Sequence, residues 1–189
     1  MTRDELIEWC RTRGTCGEAR RWLGSLHASA SLADAWASCE RGDWMLWLAA
    51  TAGVDRLFLV EAACDCADKA LAHAPTDDER PARAIAVARA WVRGEATADE
   101  ARAAADDACH AAEAAADRVA DRSAAYAAAC AARTVVDASA AARAAAYAAD
   151  AAVYGTRDAT ARAAAYAQHA ALVRSRISVA DVEAAMLAA

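Results

Sequence analysis

Cys64-Asp65-Cys66, with His73 following, and the adjacent pair Cys109-His110 are the residues best suited to hold a metal, because thiolate and imidazole are the usual zinc donors. Zinc knuckles space their cysteines two to four residues apart, however, and on a helix residues two apart point about 200° away from each other. Cys64 and Cys66 therefore cannot chelate one ion unless the helix is broken. They read instead as small buried hydrophobes. Asp106, His110 and Glu113 share one helical face, a carboxylate and histidine set of the kind that takes iron or manganese. Ferritin-like centres need Glu-x-x-His from each of two helices, and the sequence has no such motif. The expectation is no metal and no cofactor, and a small helical metalloenzyme centred on those three residues is the enzyme-class alternative.

Other chemistries find less. Asp106-Asp107 lacks the partner motif of a helical pyrophosphate enzyme, and there is neither a Gly-x-Ser-x-Gly elbow nor a glycine-rich phosphate loop. His27, His73, His110 and His169 read as surface or helix-end residues rather than as bases. No catalytic residue is assigned.

The elements that would carry these residues are helices. Periodicity near 3.6 appears wherever the chain is not a turn, and no segment shows sustained alternation of β-branched residues. Thr2 with Glu5 predicts a capping box opening a helix that ends near Arg13-Gly14, and Thr97 with Glu100 predicts a second. Short helices are expected over 18–23 and 32–40, and Asp43 is expected to cap a helix over 44–52. A longer helix over 54–73 places Leu57, Val60, Cys64, Ala67 and Leu71 on an inward stripe, opposite Glu61, Asp65 and Asp68. Pro81 suits the first turn of the next helix, which points Ile85, Ala88, Trp91 and Val92 inward and ends at Gly94.

Bulk is divided sharply along the chain. All six tryptophans precede residue 95, whereas 27 of the 50 residues from 101 to 150 are alanine, which favours helix but offers little apolar area per residue. The fold class expected is all-α. A compact multi-helix bundle would join a tryptophan-rich N-terminal part, residues 1–53, to a main body, residues 54–189, whose alanine-rich antiparallel helices pack closely.

Charge and cysteine usage bound the function. Seven cysteines are an odd set for a disulfide framework, and the Met-Thr-Arg-Asp-Glu start has no apolar leader, so a cytoplasmic protein with free thiols is expected. The longest apolar stretch, 44–54, falls short of the roughly 20 residues that span a membrane. Residues 99–121 hold seven acids against two arginines, so −5 of the formal net charge of −6 lies in one segment. Such a field repels nucleic acid and attracts a basic protein surface. Asp99, Asp106, Asp107, Glu113 and Asp117 are the acids offered to such a partner; a solvated helix face is the plainer reading.

One pattern recurs in the alanine-rich half, as Arg122-x3-Tyr126, Arg143-x3-Tyr147 and Arg162-x3-Tyr166. Intervals of 21 and 19 residues fit one helix and a turn per unit, with breaks near 136–137 and 154–156. Residues four apart share a helix face, where each guanidinium could lie over its ring. The three pairs either add bulk between helices or form a recognition row. Packing is expected for Tyr126. Exposure is expected for Tyr147, which shares a stripe with Arg143 and Asp150, and for Tyr166, on a stripe with Arg162 and His169.

The segment Asp78-Glu-Arg-Pro-Ala-Arg-Ala-Ile-Ala-Val-Ala-Arg-Ala-Trp-Val-Arg-Gly-Glu95, with Thr97 to Ala116 after it, resembles the fifth-numbered, all-helical family of immunity proteins of bacterial polymorphic toxin systems. The likeness covers residues 57–175, and Arg80-Pro81, Ala90-Trp91 and Gly94 are its most specific part. It implies a small cytoplasmic protein that binds a toxin and blocks it without chemistry of its own, and it carries over no contact residue. The tryptophan- and cysteine-containing start, with Cys16-Gly-Glu-Ala-Arg20 and Trp44-Met-Leu-Trp47, also resembles alanine-rich proteins of phage and mobile elements. That likeness implies an inhibitor of a host defence component. A second copy of the chain is the remaining candidate partner.

Overall fold

A computed structural model describes residues 1–73, 77–115, 118–153 and 159–188. Asp117, the break expected at 154–156 and the side chain of His73 lie outside the described residues. Among the described residues there are eleven helices and no strand. They are α1 Arg3–Thr12, α2 Gly17–Ser25, α3 Leu32–Ser38, α4 Gly42–Ala52, α5 Arg56–His73, α6 Arg80–Val92, α7 Ala98–Ala114, α8 Val119–Arg133, α9 Ala140–Val153, α10 Ala159–Arg176 and α11 Val179–Ala188. None is long and apolar enough to cross a membrane.

Local chemistry sets many of the boundaries. Thr2 and Thr97 form full capping boxes with Glu5 and Glu100, as their spacing predicts. Ser31 with Asp34 forms another, and Ser178 with Asp181 exchanges the same pair of bonds at the head of α11. Glycines at positive φ, Gly53 at 88° and Gly94 at 74°, follow α4 and α6, where a side chain would be strained. The start of α4 departs from expectation: Asp43 does not cap it. The helix begins at Gly42 after Arg41, and Asp43 instead receives two bonds from the Arg41 guanidinium, at 2.9 and 2.7 Å.

The centre of the fold is α5, which packs against α4, α6, α8, α9 and α10. A single inward stripe does not describe it. Leu59, Val60, Ala62, Ala63, Cys64, Cys66, Ala67 and Ala70 are all fully buried, whereas Leu57, expected inside, is 40% exposed. Being surrounded, the helix is apolar on most of its circumference. Its few polar groups are held by arginines of neighbouring helices: Asp65 accepts from Arg89 of α6 and from Arg176 of α10, each at 2.7 Å. Trp91 packs against the core but is half-buried, so the expectation of full burial is corrected. It is the last residue but one of α6.

Alanine lets the later helices approach closely. The sequential neighbours α7, α8 and α9 pack on one another along faces made of Ala104, Ala108, Ala128, Ala132, Ala144 and Ala148, all buried. One hydrophobic cluster runs without interruption from Leu6 to Val182. α4 and α10 approach closely at Gly42, which has no side chain. A Cβ there would lie 2.8 Å from the carbonyl carbon of His169 and 2.9 Å from the nitrogen of Ala170. His169 is therefore 1% exposed, not the surface residue its sequence context suggests. Gly42→Ala is expected to destabilise the protein by about 1 to 3 kcal/mol through overpacking, although alanine is the better helix former. Chemical denaturation checks this; unchanged or increased stability would mean that the two helices have room to part.

Candidate functional site: a tryptophan-lined cleft

The short N-terminal helices do not lie flat on the bundle. Between them, α4 and the outer face of α9 they leave a cleft of about 410 Å³, within the range of sites that accept a ligand or several side chains. Its walls come from the apolar faces that i, i+3 and i+4 spacing creates. These are Leu6 and Cys10 of α1, Ala19, Trp22 and Leu23 of α2, and Ala35 and Trp36 of α3. Trp44, Met45, Trp47 and Leu48 of α4 close the far side, and Ala142, Arg143 and Ala146 of α9 form the floor. Arg174 of α10 holds the C-terminal end of α3 in place, donating from Nη1 to the carbonyls of Cys39 at 2.8 Å and Trp36 at 3.3 Å.

Four tryptophans around the cleft are half-exposed and arranged in two pairs. Trp9 and Trp47 meet edge to face with ring centroids 6.4 Å apart, and Trp22 and Trp44 lie tilted at 5.9 Å. Arginines cover both pairs. The Arg13 guanidinium lies 4.1 Å from the Trp9 ring centre, and Arg41 sits between Trp44 at 4.4 Å and Tyr166 at 4.0 Å. This continuous aromatic and arginine surface is made of the residue types that dominate binding hot spots.

Arg41 is the charged centre of the rim. Burial works against its charge, but the bonds and charges of Asp43, with Glu18 at 3.8 Å, outweigh this and hold the guanidinium more firmly protonated. Burial pushes the Tyr166 phenol up, as does the charge of Asp43, so it remains a neutral donor and aromatic face. Asp150, on α9 nearby, is also pushed up by desolvation, against the pull of Arg162.

The residues expected to meet a partner separate into two groups. The acids of α7 are largely neutralised by arginines: Asp99 by Arg102, Asp106 by Arg133 of α8 at 2.6 Å, and Asp107 by Arg83 of α6 at 3.9 Å. Glu113 is exposed. Asp106, His110 and Glu113 stand exposed on one helix, and among the described residues no group of three or more donors could hold a metal ion. The Arg-x3-Tyr pairs fare differently. Arg143 is exposed on the cleft floor and pairs with Asp137 at 3.5 Å; Arg162 is exposed near Asp150. Tyr126, Tyr147 and Tyr166 are all half-buried, so the expected contrast among them does not appear. Tyr126 and Tyr147 stack on each other at 5.3 Å, and the cation over Tyr166 is Arg41, from a different helix, instead of Arg162 four residues earlier.

All seven cysteines are free. Burial pushes the thiols of Cys10 and Cys39 up to about 11 and that of Cys64 up to about 12, and it raises Cys66 further still. These four behave as small hydrophobes. Cys16 is the exposed one, at the mouth of the cleft, where its sulfur caps α2 by accepting from the Ala19 amide at 3.5 Å.

The family model described as Imm-5 like putative immunity protein matches residues 52–178, about two thirds of the chain, from the end of α4 through α10. No curated protein and no solved structure matches the chain. Except for the three α9 residues on its floor, the whole lining of the cleft lies ahead of the matched segment.

Proposed function

Because the chain belongs to the Imm-5 like immunity protein family, we propose that it has no chemistry of its own and neutralises a toxin by binding it directly in the cytoplasm. The family match over residues 52–178 is the observation that carries this reading. Four half-exposed tryptophans, Tyr166 and Arg41 on one face support it further, since such residues supply most of the energy at protein interfaces. The acid-rich α7 is the weaker candidate surface, because Arg83, Arg102 and Arg133 already compensate its carboxylates. Of the repeat residues, Arg143, which lines the cleft floor, and Tyr166, which lies under Arg41 of its rim, are the better candidate contacts.

Co-expression with the polypeptide encoded beside its gene tests the proposal. Growth arrest caused by that polypeptide should be relieved by this chain, and the two should co-purify as a stable complex. Arrest that persists while both proteins are soluble would overturn it.

A further inference from the structure

We propose that residues 1–38 are a conformational device: α1, α2 and α3 detach from the body and unravel as one unit while the later helices stay folded, and this uncovers the tryptophan-bearing face of α4. The inference rests on packing and does not depend on the immunity reading.

The segment is bound to itself. The Arg3 amide donates to the Ala30 carbonyl at 2.8 Å, and the Leu32 amide donates to the Met1 carbonyl at 3.0 Å. Arg3 Nη1 donates to the Leu26 carbonyl at 2.9 Å, so the start of α1 is fixed to both ends of the loop between α2 and α3. α1 also packs on α2 and on α3. Loss of any one of these helices removes support from the other two, which makes their opening cooperative.

The seam to the body is weaker. α4 packs on α5, α9, α10 and α11, but the cavity of about 410 Å³ separates much of it from α1, α2 and α3, and atoms that line a gap lose their dispersion partners across it. Side chains bridge the seam: Trp9 meets Trp47, Trp22 meets Trp44, and Glu18 lies 3.8 Å from Arg41. At the far end Arg174 donates to the carbonyls of Trp36 and Cys39, and α3 packs on α11. Residues 39–41, outside any helix, connect the two parts. Once the bridges part, the freed helices have 10, 9 and 7 residues. An isolated helix needs about 12 to 15 to persist in water, so the detached segment gives up its helical hydrogen bonds. The face it leaves behind carries Trp44, Met45, Trp47 and Leu48.

Hydrogen exchange of the purified full chain, read by mass spectrometry in rising urea below the unfolding transition, tests this. Peptides from α1, α2 and α3 should exchange at least about a hundredfold faster than those from α5, α8 and α9. They should also share one urea dependence, weaker than that of global unfolding because less surface is exposed. Trp22→Ala removes one bridge from the segment's own side. It should speed exchange about tenfold in all three helices, α1 and α3 as well as α2, and leave α5, α8 and α9 unchanged. Protection of α1, α2 and α3 equal to that of α5 would overturn the proposal, as would three separate urea dependences or an acceleration confined to α2. The wild-type protein alone supplies the first two of these results, so the proposal stands or falls even where the variant does not fold.

Discussion

Truncating Leu46 to alanine is expected to cost about 2 to 5 kcal/mol of unfolding free energy. Leu46 is fully buried on α4, one turn beyond Gly42, on the helix that packs against both α9 and α10. The size of the effect follows from the surroundings. In a core rich in leucine or methionine, neighbours can swing into a vacated space. Here the facing helices present alanines such as Ala144, Ala145, Ala148 and Ala170, which have no side-chain torsion to turn. The cavity would persist, and its cost adds to the lost transfer energy. Urea denaturation of the variant measures this; a loss under about 1 kcal/mol would mean that the backbone collapses around the site.

Asp65→Ala is expected to cost about 2 to 3 kcal/mol, less than the roughly 3 to 5 for breaking a fully buried pair. The Asp65 carboxylate is 14% exposed and joins three helices, accepting from Arg89 Nη2 and from Arg176 Nε and Nη2. Removing it leaves two guanidiniums facing each other. Because their side chains are 29% and 42% exposed, and Glu61 and Asp68 remain within 3.9 Å of one or both, water and these carboxylates recover part of the loss. Asp65→Asn separates the contributions, since it keeps an acceptor and drops the charge. It should fall between wild type and alanine, and the difference should shrink as salt is added. An alanine variant as stable as wild type would mean that the network holds no helices together.

Much of the fold was legible because it is written in local signals. Capping boxes at Thr2 and Thr97, Pro81 in the first turn of α6 and Gly94 after it each depend on neighbours a few residues away. Where tertiary packing decides, the pattern misled. The 3.6 period in α5 suggests one buried stripe, but a helix enclosed by five others buries nearly all round, and Leu57 falls at its open end. His169 reads as polar surface until Gly42 is seen to bring the α4 backbone against it. Asp43 has the composition of a cap, but the preceding Arg41 claims its carboxylate first.

The cleft was the least legible feature. Its floor is Ala142 and Ala146, which look like every other alanine, and its walls come from four separate helices. The available signal was the concentration of Trp9, Trp22, Trp36, Trp44 and Trp47 ahead of an alanine-rich bundle: more aromatic bulk than short helices need for their own packing. Arg143 and Tyr166 were found from the repeat, but for a reason the fold does not use. They matter through Asp137 and Arg41, residues outside their own helices.

The central claim is that this chain acts by holding a toxin. Calorimetric titration of the purified chain with the toxin encoded beside its gene tests it most directly. The account predicts one-to-one binding. It also predicts that the melting temperature of this chain rises with free toxin concentration, as linkage to the folded state requires. No heat of binding across the concentration range, together with a melting temperature indifferent to the toxin, would contradict it.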